Sequence, residues 1–129
     1  MKIYDRLYIG GQWLTPSGTG TIDVIDSGTE TVMGRIPEGA TADAEAAVEA
    51  AKLAFDGWAA TPAAVRADYL EKIAANLKAR TDALAASICG EVGMPLKLAR
   101  AIQVGSPVYN WNLYAKLARE FEFETRVGN

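Results

Sequence analysis

The chain contains no histidine. That removes every His-based triad, His general base and His metal ligand from within it. There is one cysteine, Cys89, so no internal disulfide can form, and the default compartment is a reducing cytoplasm. With one thiol and no imidazole, a zinc site is not expected. Positive charge is also scarce, with 13 Lys and Arg against 16 Asp and Glu and a net charge of -3. A general nucleic-acid binder needs a basic face to displace counterions, so that class is set aside. The apolar runs are too short to span a bilayer, and Met1–Arg6 has no apolar core that could act as a secretion signal. What remains is globular in composition: 129 residues, 50% hydrophobic and 22% charged.

Two textures divide the chain. Residues 1–40 read as strands and turns. Leu7-Tyr8-Ile9 and Gln12-Trp13-Leu14 flank Gly10-Gly11, and two glycines suit a two-residue hairpin turn. Thr15–Gly20 is a loop by composition. Thr21–Asp26 alternates polar and apolar as a half-buried strand does, Ser27–Glu30 is turn chemistry, and Thr31–Ile36 is a further strand stopped by Pro37.

Residues 41–120 are alanine-rich with helical periodicity. Thr41 is a candidate N-cap for a helix over 42–59, with Val48, Ala51, Phe55 and Trp58 as its apolar stripe. Asp43, Glu45 and Glu49 read as solvated charges favourable at the positive helix end. Thr61 as cap and Pro62 at the first helical position open a second helix. Its stripe is Leu70, Ile73, Leu77, Leu84 and Ile88, with a kink or second cap at Thr81-Asp82 and an end at Gly93 and Pro95. A third helix spans about 96–120, with Gly105-Ser106-Pro107 predicting a kink or short break. Phe121–Val127 alternates as a strand that needs a sheet partner. The aromatics Trp58, Tyr69, Trp111 and Tyr114 fall at helical spacings without a basic groove, so packing is expected rather than base stacking. Cys89 neighbours Ile88 on the apolar side of a helix and has no adjacent lysine, so it is expected to be buried and inert.

Several stretches, in order, resemble the N-terminal segment of the NAD(P)-dependent aldehyde dehydrogenase superfamily. They are Leu7–Trp13, Ile22–Asp26 with Thr29–Pro37, Ala42–Trp58, Arg66–Leu70 with Ile73-Ala74, Glu91–Pro95, and Leu113–Ala115 with the terminal Phe-Glu-Phe-Glu run. Asp26-Ser27-Gly28 departs from the family's usual Asn-Pro-Ala turn, and Gly105-Ser106-Pro107 is unusual within its helix. The resemblance implies an α/β parent fold. This chain would supply its N-terminal β-hairpin and strand region (1–40), three long α-helices (41–120) and a strand leading into a cofactor-binding domain (121–129), as one incomplete domain.

The resemblance also implies a reaction. A cysteine thiolate attacks an aldehyde, hydride passes to NAD or NADP, and a glutamate activates water to release the carboxylic acid. The family's catalytic cysteine and glutamate and its dinucleotide-holding groups match no position here, so the chain by itself is expected to be inactive and to bind no cofactor. Gly10-Gly11, and Gly18 with Gly20, are hairpin and loop glycines rather than a phosphate loop. By the same resemblance, Glu91 with backbone carbonyls at Val24 and Ile25 corresponds to a monovalent-cation site for K+ or Na+, one carboxylate and neutral carbonyls suiting such an ion. The alternative is that Glu91 is a solvated residue at a helix end. Ile102, Ser106 and Tyr109 correspond to the rim of the substrate tunnel, the alternative being ordinary helix packing. Ile102 and Ser106 lie one helical turn apart and so would share a face. The implied partners are the remainder of the polypeptide, a small aldehyde, and further copies in a homo-oligomer, with neither nucleic acid nor membrane. A second function class stays open, a free-standing helical interaction or scaffold protein derived from the family.

Overall fold

A computed structural model describes residues 2–125, 127 and 128. The elements run β1 (Lys2–Ile3), β2 (Leu7–Ile9), β3 (Gln12–Leu14), β4 (Thr21–Ile25), β5 (Val32–Pro37), α1 (Thr41–Ala59), α2 (Ala63–Ala79), α3 (Thr81–Val92) and α4 (Leu96–Leu98). A π-helical segment (Ala99–Val104) and α5 (Gly105–Glu120) follow. The chain forms two compact units that cut across the change of texture at Thr41. One comprises residues 1–60 and 88–94, the other residues 61–87 and 95–129. Helix α3 therefore gives its first turns to the second unit and its last to the first.

In the first unit, β2 and β3 form the expected antiparallel hairpin, with Tyr8 opposite Trp13. Gly10 and Gly11 close it at φ +59° and +81°, the left-handed region that a tight hairpin turn requires. The Tyr8 and Trp13 rings meet 5.1 Å apart as a cross-strand aromatic pair. Strands β4 and β5 pair antiparallel, with a register irregularity at Val24/Ile25. Strand β1 adds to the other side of β5 in parallel, giving the order β1-β5-β4. Sequence reasoning missed β1, because two residues carry no period. Arg35 and Asp23, opposite each other in the β4–β5 ladder, form an ion pair.

Helix α1 begins differently from expectation. Its N-cap is Ala40, and Thr41 is the first helical residue. The Asp43 carboxylate supplies the missing cap chemistry, accepting the Ala40 N–H at 2.9 Å through Oδ2 and the Ser17 N–H at 2.9 Å through Oδ1. Asp43 is thus a tie between the 15–20 loop and the helix start, not simply a solvated charge. The α1 stripe is exposed: Val48 and Phe55 are each 67% accessible and Trp58 51%.

In the second unit, α2 and α5 pack together around small residues. Ala67, Ala74 and Ala115 are buried, with Ala85, Ala99 and Val104, and no large side chain is fully buried among the described residues. Alanine at such positions lets helix backbones approach closely. The Arg119 guanidinium clamps the end of α5 to α2, meeting Asp68 at 2.6 Å, Glu71 at 3.1 Å and the Ala64 carbonyl at 3.3 Å.

Four expectations need correction here. The second long helix is two: it breaks at Arg80, and the Thr81 hydroxyl donates back to the Lys78 carbonyl at 2.7 Å rather than capping α3. The N-cap of α2 is Pro62, one residue later than the Thr61 cap and Pro62 start expected from sequence. The break expected at Gly105-Ser106-Pro107 is instead a π segment immediately upstream, and the helix continues unbroken through Pro107. Proline at 107 cannot donate to the Gln103 carbonyl and its ring crowds that carbonyl. A widened turn, in which the Gly105 N–H reaches the Arg100 carbonyl five residues back, accommodates it. Finally, Phe121–Thr125 form no strand. Among the described residues no strand pairs with them, and an alternating segment without a ladder stays irregular. Their anchors are the Phe121–Phe123 edge-to-face contact at 4.9 Å and Arg66, 5.7 Å from the Phe123 ring centre. Arg126 and Asn129 of the expected terminal strand segment lie outside the described residues.

Candidate functional site

Val24, Ile25 and Glu91 all fall in the first unit. Strand β4 is an edge of its sheet, and edge strands present carbonyls with no ladder partner. The direction of one carbonyl follows from peptide planarity. The Asp26 N–H donates to the Thr31 carbonyl at 2.8 Å, and no peptide bond is cis among the described residues. In a trans peptide the preceding C=O points the opposite way, so the Ile25 carbonyl points away from Thr31.

The turn after β4 is tightly organised. Asp26 Oδ1 accepts the N–H groups of Gly28 at 2.9 Å and Thr29 at 3.0 Å, the Asx arrangement that aspartate favours in turns. The same turn is bound to the end of α3. The Ser27 N–H and the Ser27 hydroxyl both donate to the Gly90 carbonyl, at 2.8 and 3.0 Å. A Cβ at Gly90 would lie 2.9 Å from Met33 Cε, 3.1 Å from Met33 Sδ and 3.4 Å from Asp26 Oδ2, so a larger residue there would displace the flexible end of Met33. Gly93 ends the helix at φ +68°, its N–H donating to the Cys89 carbonyl at 3.0 Å, as C-terminal glycines do. Glu91 sits between these two glycines, exposed, and its side chain forms no hydrogen bond or ion pair among the described residues. The turn and the helix end thus carry the exposed Glu91 carboxylate, the Ile25 carbonyl and the Asp26 carboxylate. Among the described residues no three His, Cys, Asp or Glu side chains gather as a metal site.

Cys89 is half-buried rather than buried as expected. It faces no histidine, since the chain has none.

The other three candidates lie in the second unit. Ile102 is 49% exposed and Tyr109 66%, and Ser106 is exposed as well. Ser106 and Tyr109 belong to the α-helical stretch and share a face at i, i+3. Ile102 lies inside the π segment, so its angular relation to Ser106 is not that of one α-helical turn, and the spacing argument for that pair fails. Beside this stretch Leu70, Pro107, Asn110, Trp111 and Tyr114 line an open, mostly apolar groove of about 410 Å³.

Gly10 and Gly11 turn a hairpin, and Gly18 and Gly20 lie in the loop before β4, so neither pair opens a helix after a strand. Among the described residues no helix is long and apolar enough to cross a membrane.

Comparison with known proteins shows what the chain as a whole is similar to. The family model for the aldehyde dehydrogenase family matches residues 13–128. The chain is 34% identical over 129 residues to 3-succinoylsemialdehyde-pyridine dehydrogenase of a Pseudomonas species, covering 99% of this chain and 27% of that protein. It is 38% identical over 124 residues to lactaldehyde dehydrogenase of Escherichia coli, covering 96% and 26%. Its fold superposes on a variant of aldehyde dehydrogenase C from Pseudomonas syringae, solved with NAD+ and octanal, with a TM-score of 0.92 and 33% identity over 96% of this chain and 26% of that one. The chain thus spans about a quarter of the length of these relatives and matches the N-terminal part of the full-length enzymes. On this evidence the chain belongs to the aldehyde dehydrogenase family.

Proposed function

We propose that this chain is the N-terminal part of an NAD(P)-dependent aldehyde dehydrogenase that oxidises an aldehyde to a carboxylic acid through a cysteine thiohemiacetal. The observation that carries the reading is the family match over residues 13–128 together with relatives about four times as long. When bound, the dinucleotide accepts the hydride; the groups holding it, and the catalytic cysteine and glutamate, would belong to the remaining polypeptide. The residues of this chain contribute scaffold, a cation site and part of the substrate entrance. The last two rest on the correspondence of Val24, Ile25 and Glu91 to a K+ or Na+ site, and of Ile102, Ser106 and Tyr109 to the tunnel rim. The same reading makes the enzyme a cytoplasmic homo-oligomer.

Exposed apolar faces support this reading over a free-standing interaction protein. Leu53 is 80% accessible and Phe55 67%, values that suit surfaces covered by further polypeptide. The decisive measurement is the mass of the native protein, detected in its source cells with an antibody raised against this segment. A band several times heavier than 13.8 kDa is expected, with aldehyde-dependent reduction of NAD+ or NADP+ in the purified species and none in the chain alone. A native band at 13.8 kDa would refute the enzyme reading and favour the scaffold protein.

A further inference from the structure

We infer that Met33 is an oxidation-sensitive latch: conversion of its thioether to the sulfoxide by a hydroperoxide releases the turn after β4 from the end of α3. The inference is independent of the dehydrogenase reading and of any cation. The strand register aims the side chain. Val24 pairs with Gly34 but Ile25 pairs with Val32, so Met33 is the extra residue of a bulge in β5, an irregularity that re-aims side chains. Its thioether fills the space that a side chain at Gly90 would take, with Cε 2.9 Å and Sδ 3.1 Å from the Cβ position there. The polar ties converge on the same residue, since the Gly90 carbonyl accepts both the Ser27 N–H and the Ser27 hydroxyl. One glycine of α3 thus holds an apolar contact from β5 and two hydrogen bonds from the turn. The seat suits a thioether and not a sulfoxide. Oxidation puts a polar, strongly accepting oxygen on the sulfur. The N–H groups of residues 26–30 already have acceptors, at 2.8–3.0 Å. Asp26 Oδ2 stands 3.4 Å from the same Cβ position, and a carboxylate repels that oxygen. An accepting oxygen without a donor is costly to enclose, so it leaves the seat or draws the Ser27 hydroxyl from Gly90. Both outcomes loosen the clasp. Met33 is half-buried, which leaves its sulfur within reach of a small peroxide. The step balances. A sulfur lone pair attacks one peroxide oxygen and the O–O bond breaks. Sulfur is oxidised by two electrons, and the peroxide is reduced, its other oxygen leaving as water or an alcohol.

The test uses the protein at its native length and two variants. Hydrogen peroxide is the probe, peptide mass spectrometry locates the sulfoxides, and amide exchange of residues 26–31 and 88–93 reads the clasp. In the wild type, exchange in both segments should rise about two- to tenfold in step with conversion of Met33, as expected for one lost hydrogen bond. Methionine sulfoxide reductase with a thiol reductant should reverse both changes, which a merely structural role would not give. Met33→Leu keeps an apolar group of similar volume without the sulfur, so its basal exchange should match the wild type and peroxide should leave it unchanged. Met33→Gln, which places a polar group in the seat, should loosen both segments without peroxide. Sulfoxide at Met33 with both segments as protected as before would overturn the inference. So would a Met33 that stays reduced while Met94 is oxidised. Loosening by peroxide that persists in Met33→Leu would do the same, laying the effect on Cys89 or Met94. Should Met33→Leu itself disturb the junction, the reductase decides. Loosening of the wild type that tracks Met33 and is undone by reduction supports the latch, and loosening that reduction leaves in place overturns it.

Discussion

Gly93→Ala probes the same junction through energetics. At φ +68° an alanine costs about 1–2 kcal/mol through its Cβ alone. That Cβ would also stand 3.1 Å from Ser27 Oγ, inside ordinary contact distance, so the hydroxyl must shift by a few tenths of an ångström and its bond to the Gly90 carbonyl is strained. Weakening or losing that hydrogen bond adds up to about 1.5 kcal/mol, for a total of about 1–3.5 kcal/mol. Ser27→Ala alone should cost only the hydrogen-bond share, about 1 kcal/mol. The two losses overlap, because in the double variant there is no hydroxyl left to displace. The double-mutant cycle should therefore be sub-additive by on the order of 1 kcal/mol. Because the chain forms two compact units, a global unfolding midpoint would blur the effect. Native-state exchange at the Gly93 amide, which is held by the Cys89 carbonyl, reads it locally. Additivity within about 0.3 kcal/mol would refute the steric link between Gly93 and Ser27 and show that the hydroxyl adjusts without leaving its acceptor.

The remaining predictions concern separate parts of the chain. The carboxyl of Asp43 is held below the ordinary aspartate range, mainly by the Ala40 N–H and then by the Ser17 N–H. A depressed folded value means its contribution is fully present above the unfolded value, about 3.9, and is lost as pH falls through the folded one. Exchange of the Ser17 and Ala40 amides should therefore stay flat from pH 7 down to about 4, once corrected for the intrinsic rate, and rise below it. Asp43→Asn should loosen both amides at neutral pH, and unchanged protection would contradict the tie. Arg119→Lys should weaken the α2–α5 clamp, because one ammonium cannot reproduce a guanidinium fork serving Asp68, Glu71 and the Ala64 carbonyl. Faster exchange at residues 117–121, more marked at low than at high salt, is the expected signature. Pro107→Ala should restore a donor for the Gln103 carbonyl and let the π segment return to α-helical bonding. Chemical shifts of residues 99–105 unchanged by that substitution would show that proline is not the cause of the widened turn.

How much of this was legible in the sequence depends on the range of the interaction. The hairpin at Gly10-Gly11, the β4–β5 pair and the helical region were readable because a turn or a period lies in adjacent residues. Thr81-Asp82 signalled an interruption of the second helix, but sequence did not say whether it would be a kink or a full division, and Arg80, a good helix former, gave no breaker signal of its own. Pro107 did give a signal, but sequence fixes only the strain, not whether a kink or a widened turn relieves it. The terminal alternation was a correct period in search of a ladder, and period alone does not supply a partner strand. The site behaved likewise. Glu91, Val24 and Ile25 were singled out by resemblance, whereas Ser27, which binds the turn to the helix end, was read only as turn chemistry and as part of a departure from the family's usual turn. Its 63-residue separation from Gly90 leaves no local mark.

The distribution of burial bears on what kind of molecule this chain can be. Its fully or nearly fully buried side chains among the described residues are those of five alanines and Val104, and Gly34 is buried as well. Alanine contributes little transfer free energy, and it is the side chains of Leu, Ile, Phe and Trp that supply about 1.5–3 kcal/mol each when enclosed. Here those larger groups are largely outside: Leu53, Phe55, Trp58, Phe121 and Phe123 are all more than half exposed. Small-residue cores let backbones approach, but they leave the stabilising term to be completed by whatever covers the large residues. A free-standing scaffold protein would need that term internally. The isolated chain should therefore bind a hydrophobic-surface dye and self-associate in sedimentation at micromolar concentration. A sharply monomeric species with no dye binding and a cooperative unfolding transition would overturn this argument, and with it the main physical ground for preferring the enzyme reading to the scaffold one.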